Sequence, residues 1–420
     1  MPTNPSTNSS PASPSPRKLP DRPDLRHLKD QARDLLKSGQ AETLAKAQFE
    51  IARSYGFASW AKLKVHVESL AEVGQLKAAI DANDLERIKQ MMTKNPALHR
   101  APLGYGKDGP LTWVAECRVP REPPSPQRLA IAQWMIDNGS DIHQGGDGPL
   151  MRAALFGMRI PMMELLVARG ADVNAQWHGR FPIIFAPCET VDPAALKWLI
   201  DHGADPNCAA YPERGTALDY LVGGYVRSAQ FAECIEILMN AGARTKDNIP
   251  PVLALLRGRL EEFTRLLDAD PELVHRRFAD LDIGVTGTRM MTLAGATLLH
   301  VTAEFGNVEA ARMLLERGAD VNARADINGA GIGGQTPIFH AVTQFRDCGI
   351  PVAKLLLERG ADLTVQAKVR GHYERADEFV ECTPLGYAKL FPDGGQNAAC
   401  ALLEQFSAPT VARIISNGPQ

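Results

Sequence analysis

The stretch that decides the fold is residues 295–324, GATLLHVTAEFGNVEAARMLLERGADVNAR. Its first half is a short apolar segment between Thr297 and Gly306, and its second half is an amphipathic segment that ends at Gly318. Apolar residues recur in the second half at the spacing of one helix face, at Val308, Ala311, Leu314 and Leu315. The stretch therefore predicts two helices joined by a glycine turn.

The sequence also predicts where these two helices begin and end. A threonine at the entry can cap the first turn, and in TPIF (336–339) and TPLG (383–386) a proline follows it. Proline at this position loses no hydrogen bond, because its N–H would be unpaired anyway. Gly318 suits a helix end that needs a left-handed backbone, and Asp320 and Asn322 suit the turn that follows.

The closing phrase LLxxGAD recurs along the chain, which predicts an internal repeat. Its shortest well-formed spacing is close to 33 residues, as between Gly170 and Gly203, and longer spacings contain insertions. Good copies lie at 134–141, 165–172, 198–205, 237–244, 314–320 and 356–362, and weaker copies lie at 91–98, 266–273 and 402–409.

The pattern TxLHxxAxxGNxExxxxLLxxGADVNA resembles the ankyrin repeat, over about residues 75–406 and in nine units. The resemblance implies an all-α solenoid of helix-turn-helix units with short β-hairpin loops and no central sheet. One unit cannot bury its own apolar face, so stacking must supply the core. Unit six begins with IPPV (249–252) instead of Thr-Pro, which predicts a softer joint within the array.

The sequence predicts four regions. Residues 1–23 are rich in proline and serine and are expected to be a disordered head. Residues 24–72 form a helical segment, 73–406 the repeat array and 407–420 a flexible tail. The helical segment, with its YGFxSWxxLK pattern, resembles the leader of bacterial ankyrin proteins, which implies an N-terminal cap and a bacterial source.

A second interpretation of the N-terminal segment stays open. Residues 41–70 imitate a helix-turn-helix, whose last helix would offer Lys62, Lys64 and His66 to a DNA groove. In residues 24–70, lysine and arginine outnumber acidic residues by only two, eight against six, which is little for holding phosphates. A DNA-associated regulator is therefore the alternative to a protein-binding scaffold.

Composition excludes several other classes. The net charge of -3 and the pI near 6.4 provide no broad basic surface for nucleic acid or an anionic membrane. The seven cysteines are dispersed, without a C-x-x-C pair, and suit a reducing cytosol. No signal peptide or apolar run of membrane-spanning length occurs. We expect a cytoplasmic protein without a small-molecule substrate.

The most suggestive ionisable pair is His300 and Glu304, four residues apart on one predicted helix. The resemblance implies that His300 fixes the turn by hydrogen bonds and that Glu304 is a surface residue. GAGIGG (329–334) imitates a phosphate-binding loop but lies between two repeats, so we expect a flexible finger tip. The remaining histidines and cysteines occur singly. We therefore expect no enzyme, no metal and no cofactor.

The resemblance places an unidentified partner protein along the concave side, on hairpin tips and on the ends of the first helices. Aromatic residues in such positions are frequent anchors of interfaces. Two insertions, 276–294 and 365–381, are expected to project from the array. The predicted partner-binding residues are Tyr105, Leu155, Phe156, Trp177, Tyr211, Glu304, Phe305 and Tyr373.

Overall fold

The computed structural model describes most of the chain. The head predicted to be disordered and the tail predicted to be flexible lie largely outside it. The described residues are 16–20, 23–208, 215–224, 226–246, 248–281, 291–344, 347–375, 378–391 and 397–407.

Two compact units make up the chain. The first comprises residues 1–114, 118–121 and 125–141, and the second comprises 115–117, 122–124 and 142–420. Helices α1 to α6 begin the chain and span Leu25–Lys37, Leu44–Ser54, Trp60–Asp81, Leu85–Lys94, Pro110–Glu116 and Pro126–Asp137.

The first three helices bury a small core of their own. Leu28 and Ala32 of α1 lie with Ala47 and Ile51 of α2 and with Leu63 of α3. Side-chain caps begin each of these helices, at Asp24, Thr43 and Ser59. Helix α3 then continues through residue 72, where the sequence suggests a boundary, so one helix joins the leader to the segment that follows.

The second unit repeats one element, a pair of helices in contact with each other. Its helices α7 to α20 are Gln144–Ala153, Ile160–Ala168, Phe185–Thr190, Pro193–Asp201, Ala217–Gly223, Phe231–Asn240, Pro250–Leu256, Leu260–Ala269, Leu298–Glu304, Val308–Glu316, Pro337–Ala341, Ile350–Glu358, Pro384–Ala388 and Asn397–Ser407. The predicted all-α fold of repeated helix pairs is confirmed; the number of repeats stays a prediction.

Strands occur in the described residues only as short hairpins between helix pairs. Each of the three sheets has two antiparallel strands. They are β1 (Gln176–Trp177) with β2 (Phe181–Pro182), β3 (Arg277–Phe278) with β4 (Ala296–Thr297), and β5 (Ala367–Arg370) with β6 (Phe379–Cys382).

The predicted helix starts are observed, but the threonine cap does not form at each of them, since the Thr336 hydroxyl that precedes α17 makes no hydrogen bond among the described residues. Thr216 forms a capping box with Asp219 at the start of α11, and Thr383 accepts a hydrogen bond from the Gly386 N–H at the start of α19. Gly318 follows α16 with a φ of 91°, a left-handed conformation that glycine adopts without a steric penalty. On α16, Ala311 and Leu314 are fully buried, whereas Val308 and Leu315 are half-buried.

An asparagine ladder connects consecutive helix pairs. The side chain of Asn174 donates to the carbonyl of Gly203 (3.0 Å) and accepts from the N–H of Asp205 (2.8 Å). The same pair of bonds joins Asn207 to Gly242 and Arg244, and Asn322 to Gly360 and Asp362. At these three positions the asparagine that follows the GAD phrase therefore binds one repeat to the next.

Candidate partner-binding surface

Three successive hairpins of the second unit lie side by side. They are residues 277–281 with 291–297, residues 325–335, and residues 367–375 with 378–382; we call them the hairpin row. The Asp326 N–H donates to the carbonyl of Gly295 (3.2 Å), and the Gly333 N–H donates to the carbonyl of Lys368 (2.8 Å). Backbone hydrogen bonds therefore hold neighbouring hairpins in register.

The glycine-rich tip of the middle hairpin is part of this packing. Ile327 pairs with Gly333 across the hairpin, and Gly333 pairs with Lys368 of β5. A side chain at Gly333 would collide with the carbonyl oxygen of Asp326, and its φ of 126° is one that L-residues rarely adopt. The glycines of GAGIGG thus serve a hairpin between two repeats, and the predicted flexibility of its tip stays a prediction.

An open cavity of about 350 Å³ lies in the hairpin row. Two large apolar side chains border it and remain exposed, Ile327 at 58% and Phe379 at 36%. The lining residues come from all three hairpins and are Ala279, Met291, Thr292, Ala294, Gly295, Asp326, Ile327, Asn328, Ile332, Gly333, Gln335, Val369, Arg370 and Phe379.

Charged side chains brace the edges of the cavity. The Arg277 guanidinium donates to the Asp326 carboxylate at 2.8 Å and so ties the first hairpin to the second. Arg324 donates to the carbonyls of Gly334 (3.0 Å) and Gln366 (2.6 Å), which ties the second to the third. The Arg370 guanidinium lies 5.2 Å from the centre of the Phe379 ring.

Gln335 is the buried polar residue of the cavity, with 3% exposure. Its side-chain Nε2 donates to the carbonyl of Thr292 at 3.1 Å. Its Oε1 is buried and has no hydrogen-bond partner among the described residues. Gln335 therefore belongs to the packed wall of the cavity.

His300 lies beneath the hairpin row. Its contacts show whether the spacing between His300 and Glu304 marks a catalytic or metal site. Its Nδ1 accepts from the Thr297 N–H (3.2 Å), and its Nε2 donates to the carbonyl of Gln335 (3.1 Å). Burial, with His340 nearby, lowers the pKa of His300 to about 3. A neutral, buried imidazole that holds two backbone segments is structural, as the sequence predicts.

Glu304 was predicted to be a surface residue, and that prediction is wrong. Its side chain is fully buried; the His340 Nδ1 donates to it at 2.8 Å, and the Arg227 guanidinium lies 3.5 Å away. A buried carboxylate is tolerable only with such partners. Arg227 precedes α12 and His340 lies on α17, so Glu304 connects different helix pairs and cannot touch a partner directly.

Phe305 is half-buried beside this cluster. Its ring centre lies 5.6 Å from that of Phe231 and 4.5 Å from the Arg227 guanidinium. Phe156 is also half-buried, with the Arg159 guanidinium 5.0 Å from its ring. Both rings keep an exposed part, so their predicted contact with a partner stays a prediction.

The other predicted partner-binding residues divide into two groups. Leu155 and Trp177 are half-buried, and the Trp177 ring packs on His178 (4.5 Å) and Phe181 (6.2 Å). The side chains of Tyr105, Tyr211 and Tyr373 lie outside what the structure describes. Leu155 and Trp177 do not line the cavity of the hairpin row, and the sequence analysis does not single out Ile327, Gln335 or Phe379.

The histidine, cysteine and acidic side chains do not cluster into a metal site within the part of the chain that the structure describes. No group of three or more histidine, cysteine or acidic side chains there could hold a metal ion. All seven cysteines are described and free, and burial raises the pKa of Cys208 to about 11 and of Cys234 to about 12. Thiols with such pKa values are poor nucleophiles. No described helix is long and apolar enough to cross a membrane.

Two comparisons with known proteins gave matches to ankyrin repeats. Residues 225–367 match the family model of ankyrin repeats in three copies, a span that includes most of the hairpin row. The human ASB11 ankyrin repeat domain is 24% identical; the match covers 62% of this chain and 98% of that chain, with a TM-score of 0.30. No curated protein matches the chain.

Proposed function

We propose that this ankyrin repeat protein is a non-enzymatic scaffold that binds a partner protein on its hairpin row. Ankyrin repeats are generally protein–protein interaction modules. The observation that carries the proposal is that Ile327 and Phe379 remain exposed around an open cavity although three hairpins converge there. The half-buried Leu155, Phe156 and Phe305, with Trp177, are proposed as further contacts.

The exposed apolar side chains around the cavity favour a role of this surface in protein binding. A single exposed apolar residue on a surface is ordinary, but a cavity rimmed by two of them offers a partner side chain a pocket. Interfaces gain most of their affinity from a few such anchors at a packed centre. Hydrogen bonds and an ion pair also hold the described parts of the hairpins to one another, which supports a low entropic cost of association.

Capture from a nuclease-treated lysate of the source organism tests this proposal. The baits are the tagged full chain, the double variant Ile327→Ser with Phe379→Ser, and the control Phe406→Ser. Phe406 is 46% exposed on α20 and does not line the cavity, so it matches the loss of an exposed phenylalanine. We expect proteins held by the first and third baits to be lost from the second.

Three results would count against the proposal. Equal capture by all three baits would place binding outside the hairpin row. Recovery that disappears with nuclease would favour DNA association through residues 41–70. Turnover of a substrate by the purified chain would remove the non-enzymatic part of the proposal.

We also propose a cytoplasmic location. The support is chemical: all seven cysteines are free thiols, and Cys348 is exposed. Exposed free thiols are more usual in a reducing compartment than in an oxidising one. Fractionation of cells that produce the tagged chain tests this, and recovery in an extracellular or periplasmic fraction would contradict it.

A further inference from the structure

We propose that residues 413–415 of this chain pair as a strand with the outer edge of β6. The proposal does not depend on the proposed function, because it names what covers one end of the hairpin row. Residues 413–415 lie outside the described part of the chain, in the region that the sequence predicts to be a flexible tail. The support comes from the backbone of β6, from the spacing of the repeats and from the charges that would meet.

The hydrogen bonds of the last hairpin show which way each residue of β6 faces. The Gly371 N–H donates to the carbonyl of Glu378 (2.9 Å), and these two residues continue the register of β5 with β6. Bonding direction alternates along an antiparallel pair, so Phe379 and Glu381 direct their N–H and C=O groups away from β5. Both residues are exposed, and no backbone hydrogen bond among the described residues reaches these outward groups.

Neighbouring hairpins show what such an outward edge does in this molecule. Lys368 lies opposite Glu381, and its carbonyl faces the middle hairpin, where it accepts from the Gly333 N–H (2.8 Å). The Gly295 carbonyl accepts from the Asp326 N–H in the same way. The second strand of one hairpin therefore bonds to the first strand of the next. An edge strand pairs readily with a further strand, and in this row that strand would follow α20.

The spacing of the repeats places this further strand in the sequence. In both junctions the bonded residue of the later hairpin stands eight residues after the glycine of the closing phrase. The pairs are Gly318 with Asp326 and Gly360 with Lys368. The last copy, LLEQFSA (402–408), aligns with LLERGAD and has Phe406 at the glycine position. Eight residues further stands Ile414, and β-branched residues such as isoleucine favour strands.

The facing position on β6 follows from the same comparison. In the two junctions the bonded residue of the earlier hairpin stands two or three residues before the threonine that enters the next helix. Before Thr383 these positions are Glu381 and Val380. Ile414 therefore faces Val380 in a first register and Glu381 in a second.

Charge selects the first register. It sets Arg413 opposite Glu381, and pairs of opposite charge directly across two strands are stabilising. It also sets Ile415 opposite Phe379, which is a favourable pair of a β-branched and an aromatic side chain. The second register would set Ile414 opposite the Glu381 carboxylate. We therefore assign the first.

Hydrogen exchange of the full chain, resolved to single residues by mass spectrometry with fragmentation, tests this pairing. In the assigned register the N–H groups of Phe379, Glu381, Arg413 and Ile415 all donate across the pair. We expect slow exchange at these four positions. The Ile414 N–H faces away from β6 and should exchange fast.

Proline variants of the full chain provide a matched pair. Ile415→Pro removes one bonding N–H, so exchange at Phe379 and Glu381 should become about five- to tenfold faster, the usual effect of one lost hydrogen bond. Ile414→Pro is the control, because an edge strand tolerates a proline whose N–H would face away from its partner. In this control the exchange at Phe379 and Glu381 should change by less than about twofold.

A charge exchange tests the register without proline. Arg413→Glu sets two carboxylates opposite each other and should also accelerate exchange at Phe379. Adding Glu381→Arg to that variant restores opposite charges and should restore slow exchange. A thermal melt of every variant checks that the array stays folded, and the charge exchange alone is the test if a proline variant does not fold.

Three results would overturn the proposal. Fast exchange at Phe379 and Glu381 in the full chain would show that no strand covers this edge. Slow exchange that Ile415→Pro and Arg413→Glu leave unchanged would show that another segment covers it. Slow exchange that appears only as the protein concentration rises would assign the edge to a second copy of the chain.

Discussion

At the scale of single residues, His300 belongs to a local sequence motif and also connects two repeats of the fold. Thr297 and Gln335 lie on different repeats, and the imidazole bonds to both. The TxLH motif can be recognised in the sequence because the first of these bonds is local. The second bond, to Gln335, depends on how repeats stack.

The stability of the second unit should depend on pH through His300. Its pKa is about 3 in the folded chain, below the ordinary value of 6.5. The unfolded chain therefore binds a proton at higher pH than the folded chain does. This contribution is complete above about pH 6.5 and is lost as the pH falls towards 3.

Thermal melts of the full chain and of His300→Gln at several pH values between 7.5 and 4 measure this dependence. The variant should be less stable at pH 7.5, and its melting temperature should fall less steeply with acid. Parallel curves for the two proteins would contradict the assignment.

Glu304 is a case in which sequence reasoning failed for a physical reason. The position is polar and near a helix end, which ordinarily indicates a solvent-exposed side chain. Its partners, Arg227 and His340, lie in other helix pairs, and no local sequence pattern predicts these contacts. Side-chain burial within an array depends on which residues the neighbouring repeats supply.

Removal of this carboxylate should be strongly destabilising. Glu304→Ala should lower the free energy of unfolding by about 3–5 kcal/mol, because the charge of Arg227 would stay buried without its carboxylate partner. Glu309→Ala, at an exposed position of α16, is the control and should change stability by less than about 0.5 kcal/mol. If chemical unfolding gave the same change in free energy for Glu304→Ala and Glu309→Ala, the contacts of Glu304 with Arg227 and His340 would contribute no specific stability.

At the scale of elements, the closing phrase of the repeat ends a helix and also supplies the asparagine that bonds to the next repeat. Asn322 joins Gly360 and Asp362 of the next repeat by two hydrogen bonds of 3.1 and 2.7 Å. At the equivalent position of that next repeat stands Thr364, whose described hydrogen bonds reach only Asp362. Asn322 therefore links its repeat to the next one, whereas the described hydrogen bonds of Thr364 stay within its own repeat.

Asn322→Ala should therefore cost more than Thr364→Ala. Two hydrogen bonds of about 0.5–1.5 kcal/mol each predict a loss of about 1–3 kcal/mol for the asparagine variant. The threonine variant should lose less than half of that. Chemical denaturation of both variants measures the difference, and a larger loss for Thr364→Ala would contradict the role of the ladder.

Hairpins were the least predictable elements. The sequence places loops correctly between the helix pairs, because LLxxGAD and the threonine entry bracket them. It does not reveal the cavity, since Met291, Ile327, Gln335 and Phe379 come from three separate repeats. Each of these residues is ordinary within its own loop, and only stacking brings them together.

At the scale of the whole molecule, repeat stacking makes local damage spread. Leu314 is fully buried on α16, and Leu314→Ala should cost about 2–5 kcal/mol through lost burial and the cavity left behind. Each repeat depends on its neighbours for part of its core. The loss should therefore reach α17 and α18, which pack against α15 and α16.

Hydrogen exchange followed by mass spectrometry can locate this damage. In Leu314→Ala, exchange should become faster in α15 to α18 and change least in α9 and α10. Loosening confined to α16 would show that the repeats are energetically independent. Equal acceleration throughout the second unit would indicate a single cooperative block instead.

Binding of a partner protein to the hairpin row can be observed most directly by hydrogen exchange of the full chain, with and without a captured protein. We predict slower exchange in residues 325–335 and 367–382 of the complex, and unchanged exchange in residues 24–72. Protection confined to residues 41–70, with both hairpins unaffected, would contradict the hairpin row as the partner-binding surface.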